Sequence, residues 1–169
     1  MSWSKAFFLA AGLGALGGCG FQPMYGSAGV GGADAWAKLA AVEISNIPER
    51  PGQKLRNALV DRMHSNGAAA PAYRLDVSYS AAEQKIAVSK DASAERYQLV
   101  FRAPYRLVDK ASGKTLLTAT ARTNVVYDSL EEQFGLLASR DNSYDRAVAE
   151  VSEEIALRVA AALGRPQQP

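Results

Sequence analysis

The chain has 169 residues, 19 Lys or Arg against 17 Asp or Glu, one His and one Cys. So even a balance gives no global attraction to nucleic acid, and any basic function has to be local. A single cysteine excludes an intrachain disulfide and, with one histidine, any Cys/His metal framework.

Residues 1–18 read as a secretory signal peptide: Lys5 is the only charge, Ala6 to Leu16 is an uncharged run, and small residues stand at the cut. A membrane-spanning helix needs about 20 apolar residues. This run is shorter, and Gly12, Gly14, Gly17 and Gly18 weaken it as a helix. Leu16-Gly17-Gly18-Cys19 resembles the lipobox of bacterial lipoproteins, which implies diacylglycerol and an N-acyl chain on Cys19 and no other cofactor. Acyl chains contribute about 0.8 kcal/mol per buried CH₂, so such a residue anchors a protein without a transmembrane helix. Gly20 stands where an Asp commonly signals inner-membrane retention, so the resemblance implies a periplasm-facing position on the outer membrane.

Residues 19–35 form a Gly-rich tether behind the lipidated cysteine. Phe21, Met24 and Tyr25 do not fit a pure tether and read as docking contacts for the domain, a partner or the membrane surface. The domain is expected over 36–164, with a disordered tail at 165–169. Its first strand is read in Leu39 to Ile47, closed by a turn over Pro48-Glu49-Arg50-Pro51-Gly52. A helix follows, with Leu55, Ala58, Leu59, the Arg62 stem and Met63 on its apolar face and a stop at Asn66-Gly67.

The pattern then changes to period two. Tyr73, Leu75, Val77 and Tyr79 share one face, and a change of face over Ala81 to Gln84 suggests a bulge or turn before Ile86 and Val88. Tyr97, Leu99, Phe101, Ala103, Tyr105 and Leu107 mark the apolar face of the next strand, with Pro104 hinting at an edge or an irregularity. A turn over 109–114 leads to a fourth strand, with Leu117, Ala119, Ala121, Val125 and Tyr127 inward. A connector containing Leu130, Phe134, Leu136 and Leu137 precedes a helix from about Asn142 to Leu163. Its buried stripe is Tyr144, Val148, Val151, Ile155, Val159 and Ala162. Arg146 with Glu150, and Glu154 with Arg158, are its four-apart pairs. The order βαβββα predicts a two-layer α+β domain with both helices on one face of a four-stranded mixed sheet.

That packing leaves the other sheet face open, with Arg96, Arg102 and Arg106 on one strand and Arg122 on its neighbour. Guanidiniums so placed suit bidentate contact with phosphate or carboxylate. The ordinary alternative stays open, since polar sheet faces and edges are often charged. His64, near the end of the first helix, reads as a surface histidine, and no catalytic or metal-ligand motif is present.

Cys19-Gly20-Phe21-Gln22-Pro23-Met24-Tyr25-Gly26 and the succession of elements to Leu163, with Phe134 and Arg140-Asp141, resemble the LptE family of LPS-assembly lipoproteins, alphaproteobacterial type. The resemblance implies a non-enzymatic outer-membrane protein that plugs an LptD-like β-barrel, binds lipopolysaccharide and helps bring it to the cell surface. The four arginines are candidate contacts for its phosphates on strand periodicity alone. An auxiliary outer-membrane lipoprotein of a lipid or solute ABC transport system would share the anchor and the domain. Replacing Cys19 by Ala is expected to abolish fatty-acid labelling and leave an uncleaved precursor; labelling that persists in the variant rules the lipobox out.

Overall fold

The computed structural model describes residues 37–65, 67–88, 94–130 and 133–165. The signal peptide, Cys19, the tether and residues 166–169 lie outside them. The elements are β1 (Val42–Ile44), α1 (Glu49–Met63), β2 (Tyr73–Val77), β3 (Ser80–Val88), β4 (Ala94–Asp109), β5 (Thr115–Leu130) and α2 (Gln133–Gly164). They form the expected two-layer α+β domain, with α2 on β5 and β4 and α1 between α2 and β1.

The sheet is organised on β4. Its odd residues Leu99, Phe101, Ala103, Tyr105 and Leu107 are buried, whereas Arg96, Arg102, Pro104 and Arg106 are exposed. β5 pairs antiparallel along the whole of one edge, from Ala94 opposite Leu130 to Leu107 opposite Leu117. β2 and β3 share the other edge, and β1 lies outermost, parallel to β2. β2 and β3 are two stretches of one line in one register, Val77 opposite Tyr105 and Ser80 opposite Arg102. The five strands thus fill four lanes.

Pro104 explains why that line is interrupted. Ser78 N–H donates to the Pro104 carbonyl at 3.1 Å, but Pro104 has no N–H to return, so the ladder lapses at Ser78 and Tyr79. The irregularity expected at Pro104 is therefore real, and it sits in a central strand. The change of face comes later than Ala81 to Gln84: the register shifts between Lys85 and Ala87, leaving Ile86 as the extra residue of a bulge.

Three other boundaries differ from the sequence reading. β1 is only three residues long, because residues 37–39 form a helical turn and the carbonyls of Ala40 and Ala41 accept from Ala69, Ala72 and Tyr73. Pro48 to Gly52 does not form a separate turn, since the helix already begins at Glu49. Pro51 is tolerated in the first helical turn, where no intrahelical N–H bond is needed. Gly52 is a packing residue: a Cβ there would lie 2.7 Å from Ile47 Cγ2 and 3.1 Å from Tyr79 Cε1. Glu49 takes φ 64, a left-handed value unusual for its type, and its carboxylate accepts a 2.5 Å hydrogen bond from Tyr79.

β5 runs on through Leu130 and α2 starts at Gln133, nine residues before the expected Asn142. The polar run Ser139-Arg140-Asp141-Asn142 imitates a cap in sequence, yet the helix passes through it. Val148, Val151, Ile155 and Val159 are buried as expected, joined by Ala147, Ala156, Ala160 and Leu163, while Tyr144 and Ala162 are half-buried. Glu154 and Arg158 pair at 2.6 Å. Arg146 and Glu150 instead reach β5, at the Val126 carbonyl and the Thr123 hydroxyl. His64 donates from Nε2 to the Val42 carbonyl at 2.9 Å and so ties the end of α1 to β1.

Gly52→Ala is expected to destabilise the domain by about 1 to 3 kcal/mol, as overpacking of a filled site does, and urea unfolding will measure it.

Candidate anion-binding face

The pleat of β4 puts Arg96, Arg102 and Arg106 on the open face and that of β5 puts Arg122 there, and the neighbouring strands divide the four into two kinds. Arg96 lies opposite Asp128 of β5 and forms a forked pair with it, Nε to Oδ1 at 2.7 Å and Nη2 to Oδ2 at 3.3 Å. Asp128 is held below the usual aspartate range by this hydrogen bond and by the guanidinium charge. Arg106 lies opposite Asp76 of β2, with Nη2 and Oδ2 3.4 Å apart. Asp76 also accepts from Ser45 at 2.7 Å and lies 3.1 Å from Arg74 Nε. The Ser45 hydroxyl is the largest influence lowering its pKa, against an opposing effect of burial.

Arg102 and Arg122 differ. They stand directly opposite one another across β4 and β5, both are exposed, and neither has an ion pair among the described residues. Their position is a non-hydrogen-bonded pair of the ladder, the kind in which facing Cα atoms approach to about 4.5 Å and side chains come closer. Like charges so placed repel. An anion between them would relieve the repulsion and could take parallel N–H bonds from each fork. Val100 is half-buried beside Arg102, and Val126, 45% exposed, lies on the same face of β5 as Arg122. Next to Arg106, where the ladder lapses, an open groove of about 660 Å³ is lined by Asp76, Ser78, Pro104, Thr118 and Thr120 among others.

Sequence periodicity found the arginines and missed their neutralisation, because Asp76 and Asp128 come from other strands. The signal was available in part. Asp76 and Arg74 share the outward face of β2, but the register at the turn, Val108 opposite Thr115, would set Tyr127 against Arg96, and only the shift between Leu107 and Val108 brings Asp128 there.

A second cluster on the helix side was not foreseen. Glu83 of β3 accepts from Arg140 Nε at 2.8 Å and Tyr144 at 2.9 Å through Oε1, and from Tyr127 at 2.8 Å through Oε2. Tyr97 stacks on Tyr127, Tyr79 stacks on Phe101, and Phe101 meets Tyr144 edge-on. Burial raises the Glu83 pKa, but the bonds from Arg140, Tyr127 and Tyr144 outweigh it, and the carboxyl is held below its usual range. Tyr127 is shifted up, by burial first and then by Glu83. The cluster clamps β3 and β5 to α2 and offers no nucleophile. Among the described residues no group of His, Cys, Asp and Glu could hold a metal, and no helix is long and apolar enough to cross a membrane.

Comparison with known proteins agrees with this architecture. The family described as "LptE: Lipopolysaccharide-assembly" matches residues 39–163. A crystal structure of a candidate lipoprotein from Caulobacter crescentus is similar at 27% identity and TM-score 0.63, over 78% of this chain and 96% of that one. A minor lipoprotein from Acinetobacter baumannii, at 11% identity and TM-score 0.53, covers 71% of this chain and 91% of its own. Uncharacterized lipoprotein B from Nitrosomonas europaea, at 19% identity and the same TM-score of 0.53, covers 71% and 81%. These last two share the fold. No curated protein matches the chain.

A depressed Glu83 pKa means that its contribution to stability is present above the unfolded-state value of about 4.3 and is lost as the pH falls through the lower folded value. Stability of Glu83→Gln below about pH 4.5 should therefore fall less steeply than that of the parent, as read by urea titration at several pH values; parallel slopes would remove Glu83 as a source of acid sensitivity. The family match spans most of the domain, from Leu39 at its start to Leu163 in the last turn of α2, and the chain belongs to the LptE family of lipopolysaccharide-assembly proteins.

Proposed function

We propose that this protein is a lipoprotein anchored through Cys19 to the periplasmic face of the outer membrane, where it binds lipopolysaccharide and plugs an LptD-type β-barrel. In this reading it assists lipopolysaccharide assembly at the surface and catalyses nothing. The observation that carries the reading is the facing pair Arg102 and Arg122, without carboxylate partners among the described residues, on the open sheet face of a chain of this family.

Lipopolysaccharide is amphipathic, with phosphates and carboxylates on its sugars and acyl chains below. Two unpaired guanidinium forks suit a phosphate, and Val126 gives the same face an exposed apolar neighbour. Arg96 and Arg106 would contribute less directly, since each must share its charge with a carboxylate already in place. They set the edge of the site and add to its field. The remaining exposed surface is rich in ion pairs and hydroxyls, which agrees with enclosure in a barrel whose lumen is polar.

The double variant Arg102→Glu, Arg122→Glu is expected to bind purified lipopolysaccharide at least about tenfold more weakly, equivalent to about 1.4 kcal/mol. Its circular dichroism should match the parent's. Arg96→Glu should weaken binding less. Unchanged binding by the double variant would falsify the assignment. Affinity purification of the full lipoprotein from membranes tests the partner: co-purification of a large outer-membrane barrel supports the reading, whereas recovery of an ATPase with a periplasmic transport complex favours the auxiliary-subunit alternative.

A further inference from the structure

Residues that face one another on neighbouring strands cross the open face in successive rungs. Arg102 and Arg122 form one rung, and Ser78, Pro104 and Thr120 form the next. Beyond them come Asp76, Arg106 and Thr118. Rungs on one face of an antiparallel sheet lie two residues apart, about 6.8 Å. The open groove beside Arg106 covers the second and third rungs, so it adjoins the unpaired guanidiniums of the first.

The second rung is chemically unlike its neighbours, because it is uncharged. Pro104 is exposed there and lines the groove. Its missing N–H leaves the Ser78 carbonyl without the donor that a ladder pair supplies, and among the described residues no other hydrogen bond ends on that oxygen. Ser78, Thr118 and Thr120 are exposed and add hydroxyls, each able to donate once and accept twice. In the third rung Arg106 shares its charge with Asp76. The strip therefore begins on two free cations, continues over a small apolar platform edged by hydrogen-bonding groups, and ends on a neutralised pair.

We propose that this strip binds a sugar ring that carries a phosphate. The phosphate lies between Arg102 and Arg122, the ring lies over Pro104, and the ring hydroxyls meet the Ser78 carbonyl, Thr118 and Thr120. The proposal rests on the lipopolysaccharide reading and narrows it: the part recognised is a phosphorylated sugar, and Pro104 with the two threonines sets the preference for it over other phosphates. A pyranose has the complementary character, an apolar C–H face for the pyrrolidine and a rim of hydroxyls for the groups around it. A phosphate ester on that rim projects toward the first rung, within reach of two long side chains. A phosphate without a ring engages the first rung alone and leaves the Ser78 carbonyl to water. Sites built to bond a hydroxyl discriminate against ligands that lack it.

Two probes with one phosphate each separate the ring from the charge: glucose 6-phosphate and methyl phosphate, titrated into the full lipoprotein in detergent and followed by amide chemical shifts. Glucose 6-phosphate should bind at least about tenfold more tightly. Pro104→Val supplies the missing N–H to Ser78 in a residue suited to strands, and Thr120→Val keeps the shape and removes the hydroxyl. Each should cut that preference at least about threefold, with methyl phosphate binding and circular dichroism unchanged. If Pro104→Val does not fold, Thr118→Val takes its place. Equal binding of the two probes by the parent, or a preference that these variants leave intact, overturns the sugar site; the wider reading then still stands if Arg102→Glu, Arg122→Glu loses lipopolysaccharide. Lipopolysaccharide binding that the arginine double variant leaves unchanged removes the wider reading and this proposal with it.

Discussion

The register of β4 is the constraint on which the other features depend. Its odd residues fill the centre of the core and its even residues carry the arginines, and β2, β3 and β5 are all placed by hydrogen bonds to its two edges. A slip of one residue would exchange the two sets, burying guanidiniums and exposing Leu99, Phe101 and Leu107. The apolar side chains therefore position the charged ones. Each fully buried Leu or Phe contributes about 1.5 to 3 kcal/mol, and several such contributions hold one register against the repulsion it creates between Arg102 and Arg122. That repulsion is of a size a sheet can carry, about 1 kcal/mol or less for facing surface charges.

Neutralisation on the open face is uneven. Arg96 and Arg106 meet carboxylates that β5 and β2 bring into register, and both pairs are exposed enough that solvent screens much of their worth. They stabilise little and mainly set local charge. Arg102 and Arg122 lie between them with the charge uncancelled, so the net positive potential peaks mid-strand, away from the strand ends. In the proposed reading an anionic group would sit between these two guanidiniums, which extend from directly opposed residues of neighbouring strands.

Sequence made the arginine strand legible because period two survives from Tyr97 to Leu107, through Pro104, which changes hydrogen bonding and not side-chain direction, and lapses only at the register shift between Leu107 and Val108, both buried. The core face of α1 and the lower part of the α2 stripe were legible for the same reason. Pro48 to Gly52 was not, since Pro and Gly ordinarily punctuate turns, and here one occupies a helical first turn and the other makes room for Ile47 and Tyr79. The start of α2 was hidden by a polar run that has the composition of a cap without its geometry. Asp76 and Asp128 lay in plain view, but their effect depends on cross-strand register, which no single strand encodes. Glu83 was harder still, because its three donors come from 44, 57 and 61 residues further along the chain.

The Glu83 cluster also explains how the domain can leave one sheet face uncovered. A two-layer domain has no third layer to brace a long hairpin from its open face, and α2 is the helix that packs most on β4 and β5. Hydrogen bonds from Tyr127, Arg140 and Tyr144 to one carboxylate tie β3, β5 and α2 together from the covered side, and the stacked aromatics fill the space between them. A half-buried carboxylate with three donors is strongly directional, so it limits shear of the outer strands over the helix where an apolar contact would let them slide. Bracing from one side only leaves the other side free of structural duties, and its residues can then be spent on recognition. Arg102 and Arg122 can face each other because the strands that carry them are fixed from behind.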